Sequence, residues 1–103
     1  MNKPIAPLAK AYLVSMGLYD EVIEKAGTRR AEYLLGRAYG AADLVEQKFE
    51  AARLKKELSE FNKRFKAARI ERPKLQYADF AMEFKRDLMA QFCKEMKARL
   101  ARF

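Results

Sequence analysis

Histidine and tryptophan are absent from this chain, cysteine occurs once, and glycine and proline number four and three among 103 residues. Without histidine the commonest general base at neutral pH is missing, and with it the usual catalytic triads, haem ligation and histidine-based zinc sites. Cys93 alone can form neither an intramolecular disulfide nor a thiolate metal cluster, which points to an intracellular, reducing compartment, either cytoplasm or organelle matrix. Hydroxyl nucleophiles are scarce, because Thr28 is the only threonine and Ser15 and Ser59 are the only serines. No Walker phosphate loop and no GxGxxG occurs. No run approaches the roughly 20 apolar residues that cross a bilayer, so no transmembrane segment is expected. These absences argue against an enzyme and against a resident cofactor or metal.

What is present is the balance of a helical protein. Half of the residues are hydrophobic and 35% are charged, enough apolar surface for one domain with a modest core. Pro4 and Pro7 precede an apolar stretch from Leu8 to Met16, suiting the first turn of a helix, and Gly17 ends it. Asp20 is positioned to cap a short helix through Val22, Ile23 and Lys25, with Gly27 as its left-handed terminator. Thr28 then caps a helical periodicity running from Arg29 to about Glu71, where Pro73 forbids continuation. Gly36 and Gly40 are its weak points and the alternative place for a break.

From Leu44 the residues Ala51, Leu54, Leu58, Phe61, Phe65 and Ala68 fall at alternating spacings of three and four, with Gln47 the one polar interruption, a heptad seam. A second amphipathic segment carries Tyr77, Phe80, Ala81, Phe84, Leu88, Phe92, Met96, Leu100 and Phe103. The connection between them is short, so an antiparallel neighbour is expected. The predicted fold is all-α: a long antiparallel helical hairpin, about 41–71 and 77–102, with shorter N-terminal helices packed at one end. Residues 1–43 form the N-terminal helical part and 44–103 the basic hairpin of a single domain 1–103. A turn centred on Lys74 and Leu75 pairs Phe65 with Phe84, Phe61 with Leu88, Leu58 with Phe92 and Leu54 with Met96, and these eight residues are the expected hairpin core. An unbroken helix from Arg29 to Glu71 would extend about 64 Å, leaving apolar edges that two helices alone do not cover.

Charge is divided unevenly. Residues 1–52 carry seven basic and seven acidic side chains, whereas 53–103 carry 15 and seven. From Arg53 to Lys74 there are nine lysines and arginines against three acids. Arg53 with Glu57, and Glu60 with Arg64, are spaced to pair along a helix. That leaves Lys56, Lys63, Lys66, Arg69, Arg72 and Lys74 as the candidate partner-binding face. A solvated basic face, phosphates of a nucleic acid and an anionic membrane surface are three readings of these cations, although no zinc finger, RNP motif or bZIP-like basic region accompanies them.

Three other constellations have structural readings beside their functional ones. Asp43, Glu46 and Glu50 share a helix face but lack the Glu-x-x-His pairing of bundle metal sites. Cys93 has no histidine to activate it and reads as a small packed residue. Gly36 and Gly40 form a GxxxG step that permits close packing, by the chain's own N-terminal helices, by another subunit, or as a helix break. The function that follows is a non-catalytic helical accessory or structural subunit of a larger assembly, binding other protein subunits through the apolar edge and basic face of the hairpin. The alternative is a small basic nucleic-acid-associated protein contacting phosphates without sequence specificity.

Overall fold

A computed structural model of the chain describes residues 4–55 and 57–102, and every regular element among them is an α-helix. Helix α1 (Pro7–Ser15) starts with proline in its first turn. It ends at Gly17, whose φ of 72° is the left-handed value that a side chain resists. Leu18 N–H donates to the Leu13 carbonyl at 2.8 Å and Gly17 N–H to the Val14 carbonyl at 3.1 Å, so the last turn has its carbonyls satisfied by a Schellman pair. Helix α2 (Tyr19–Glu24) follows at once. Asp20 does not cap it. That position falls to Leu18, and Asp20 lies in the first turn, where an acid favours the helix dipole.

Gly27, at φ 90°, turns the chain into Thr28, whose Oγ1 accepts from Ala31 N–H at 3.2 Å and donates to the Lys25 carbonyl at 2.8 Å. Helix α3 (Arg29–Leu54) then runs through Gly36 and Gly40 without interruption. The break comes elsewhere. Lys55 leaves the helix at ψ −175°, and α4 (Leu58–Glu71) starts afresh with no side-chain cap. The expected first arm, 41–71, is therefore two helices. Neither Lys55 nor Glu57 is a helix breaker; the cause lies at a distance. In a straight helix Phe49 and Phe61 would stand about 18 Å apart along the axis, yet their ring centroids are 5.7 Å apart, edge to face. Folding α4 back stacks Phe61 on Phe49, Phe80 and Phe84 at once. The chain measures 45 × 37 × 23 Å, and the projecting arm of about 64 Å does not form.

Helix α5 (Tyr77–Ala101) returns past α3 with its contacts in opposite sequence order. Phe84 meets Phe49 at 5.8 Å, Lys85 meets Glu46 at 3.0 Å, and Phe92 and Met96 share a groove with Gly40 and Leu44. Two cores result. The larger joins α1, α2, α3 and α5 through Leu8, Ala9, Tyr12, Leu13, Val22, Leu34, Ala38, Ala41, Ala42, Val45, Met89 and Cys93. The smaller holds only Phe49, Phe61 and Ala81 as buried members, with Phe80, Phe84 and Leu88 packed on them.

The predicted register is displaced accordingly. Phe65 lies against Tyr77 and Phe80, not Phe84, while Phe61 stacks on Phe80 and Phe84 in a cluster on which Leu88 also packs. Phe92 and Met96 pack on the larger core instead of facing Leu58 and Leu54. Leu54, at 86% exposure, and Leu58, at 41%, belong to neither core.

Candidate protein interface

Of the six cations expected to form one face, five are described and four of these make no ion pair among the described residues. Lys63, Lys66 and Lys74 are exposed and make no ion pair among the described residues. Arg69 lays its guanidinium over the Phe65 ring at 5.7 Å, a cation–π contact that leaves its outer edge in water. Arg72 is withdrawn. Its two terminal nitrogens donate to the Glu83 carboxylate at 2.8 and 3.0 Å, tying the α4–α5 link to the first turns of α5. These hydrogen bonds and the opposite charge hold Glu83 below its ordinary carboxylate value and raise Arg72. Lys56 lies outside the described residues. Arg53 pairs with Glu50 at 3.3 Å rather than with Glu57, while Arg64 does reach Glu60 at 3.6 Å.

Helix α4 touches the rest of the protein by one edge, where Phe61 is buried and Phe65 and Ala68 are half-buried. Directly opposite, at helical spacings of three, four and seven, stand Lys63, Lys66, Ala67 and Ile70, all exposed. Ile70 is 82% exposed. An isoleucine on the outer face of a helix, one turn from an unpaired lysine, is the apolar centre of a small cationic patch.

At the α3–α4 junction a concavity of about 230 Å³ opens between Phe49, Ala52, Arg53, Glu57, Glu60, Phe61, Arg64 and Phe84. Its floor is aromatic and its rim carries both signs of charge. With Arg53 and Arg64 committed to Glu50 and Glu60, little positive charge is directed into it.

The remaining candidates fall into place around these. Glu46 and Glu50 turn to Lys85 and Arg53, so the Asp43, Glu46 and Glu50 face is tied to cations at two of its three members. Cys93 is buried in the larger core, and that burial pushes its thiol up, against the thiolate that chemistry would require. Gly36 and Gly40 do not receive the N-terminal helices: a Cβ at either position would meet nothing within 4 Å. They face away from the core, in line with exposed Tyr33 and Leu44. Glu21 and Arg30 pair at 2.6 Å, a hydrogen bond that lowers the acid and raises the base while joining α2 to α3.

Sequence reasoning passed over Ile70, because the seam it followed ran through Phe65 and Ala68. The available signal was an isoleucine off that seam and flanked by charge. No protein-family model matches the chain, and comparison with curated proteins and with solved structures found no match. Among the described residues no helix is long and apolar enough to cross a membrane.

Proposed function

We propose that this protein is a non-catalytic helical accessory subunit that docks on an acidic protein surface through the outward face of α4. The observation that supports this reading is the 82% exposure of Ile70 beside the unpaired Lys66 and Lys63. Phosphate recognition needs cations but gives no use to an exposed isoleucine. Membrane adsorption needs a broad apolar face, and Ile70 with Ala67 is too small for one. An acidic protein surface with an apolar depression uses both features, the isoleucine as anchor and the lysines for orientation and encounter.

The test uses the full chain as bait in its native source, with the captured partner then purified and titrated directly. The expected result is one protein at fixed stoichiometry, bound after nuclease treatment. Ile70→Glu and the Lys63→Glu/Lys66→Glu pair should each weaken it by about tenfold or more, the loss typical of an interface anchor. Material that disappears with nuclease, and whose affinity falls linearly on a log scale with salt, would replace this reading with sequence-independent phosphate binding.

A further inference from the structure

The solvent face of α3 carries three pairs of opposite charge placed symmetrically about Gly40, while Arg29, Glu46 and Arg53 have no such counterpart. Arg37 and Asp43 lie three residues to either side, Glu32 and Lys48 eight, and Arg30 and Glu50 ten, the last two already paired within the chain with Glu21 and Arg53. Each pair is of opposite sign. We infer that α3 is an interaction surface for a second copy of this chain, the two helices packing antiparallel with the twofold axis at Gly40.

The geometry supports this from three directions. A twofold axis perpendicular to the helix brings residues equidistant from Gly40 to the same level on the two copies. Arg37 of each chain then stands level with Asp43 of the second copy, and the flanking pairs follow the same rule. A parallel pairing would set like charge against like at every one of these levels. Within one chain Arg37 and Asp43 are both without an ion pair among the described residues, and they are separated by six residues, about 9 Å along the helix. Both are therefore available to opposite charges on a second copy.

The surface is also shaped for the contact. Ala31, Ala38, Val45 and Phe49 are buried on one side of α3, and Tyr33, Gly36, Gly40, Leu44 and Gln47 are exposed on the other. With nothing within 4 Å of a Cβ at Gly36 or Gly40, another backbone can approach closely there. Beside Gly40 runs a groove of about 250 Å³ whose walls are Tyr12, Ala41, Leu44, Phe92 and Met96. It is mainly apolar and takes a side chain of the second copy. Arg37 rests 5.9 Å from the Tyr33 ring, which holds its guanidinium along this face. A contact made by one helix per chain is below the standard size of a protein interface, so the dimer should be concentration-dependent, in the range of about tens of micromolar.

Sedimentation equilibrium of the full chain from about 1 to 500 µM tests it, a range that brackets such an affinity. A monomer–dimer equilibrium is expected, and Gly40→Leu should abolish it while leaving the helix intact, since leucine is the better helix former. Arg37→Asp and Asp43→Arg should each weaken the dimer by about tenfold, and the two together should restore it to within about threefold. Lys63→Glu/Lys66→Glu should leave it unchanged, which separates this surface from α4. A monomer throughout the range, a dimer indifferent to Gly40→Leu, or a charge swap that fails to restore would each overturn the inference.

Discussion

The two cores of this protein are built by opposite means. The α1–α3–α5 core is dense and aliphatic: Ala9, Ala38, Ala41 and Ala42 bring the helix backbones together, and Leu13, Val45 and Met89 fill the space between them with no exposure at all. The α3–α4–α5 cluster is aromatic and shallow, with Phe49 and Phe61 buried and Phe65, Phe80 and Phe84 only partly covered. One end of the molecule gains its stability from close packing over many residues. The other relies on a few ring edges, which is enough to turn a chain but not to cover it. That difference leaves α4 free along its outer face, where Lys63, Lys66 and Ile70 stand.

If the comparison is right, the largest effect of any single change falls in the aliphatic core. Leu13→Ala should cost about 2–5 kcal/mol, the range for a fully buried leucine, read by urea denaturation with an unchanged slope. A loss of under about 1 kcal/mol would mean that the small core residues collapse into the gap. Phe61→Ala should act more locally. Hydrogen exchange of amides 58–71 should accelerate by more than tenfold while those of α1 and the first half of α3 keep their protection, as expected of a separately opening unit. Uniform acceleration across the chain would show that the two cores are one cooperative body.

The smallest effect concerns the Arg72–Glu83 pair, which sits half-exposed at the α4–α5 link. Glu83 has its folded value depressed by Arg72, below the ordinary 4.5. Its contribution is therefore present above that ordinary value and lost as pH falls through the depressed one. Arg72→Ala should lower stability slightly at pH 7, where the pair is intact, and leave it unchanged at the acid end, where Glu83 is protonated, so that the fall on acidification is flatter. Denaturation curves collected across the acid range check it, and an unaltered pH profile would show that the pair is decorative.

Legibility of the fold followed locality. Gly17, Thr28 and Pro73 mark helix ends by chemistry confined to a turn or two, and those ends stand where their residues indicated. The break after Leu54 had no such mark. Lys55 and Glu57 favour helix, and only the contact of Phe49 with Phe61 and Phe84, distant along the chain, overrides them. Register inherited the same error, because pairing arithmetic assumes a straight arm. At the candidate site, Lys63, Lys66 and Lys74 were readable as unpaired cations, while the loss of Arg72 to Glu83 depended on where α5 begins to run back. Gly36 and Gly40 were readable as a small-residue step, but not that the step faces solvent.

Met89 and Cys93 complete a core whose other members were synthesised long before them, with Leu13 lying 76 positions upstream of Met89. The Lys97 ammonium even donates to the Ser15 carbonyl at the end of α1. An α-helical protein usually matures from neighbours in sequence, yet here the core of α1 and α3 is incomplete without residues of α5. Removing the chain from Met89 onward would strip α1 and α3 of that covering and leave their shared apolar seam exposed.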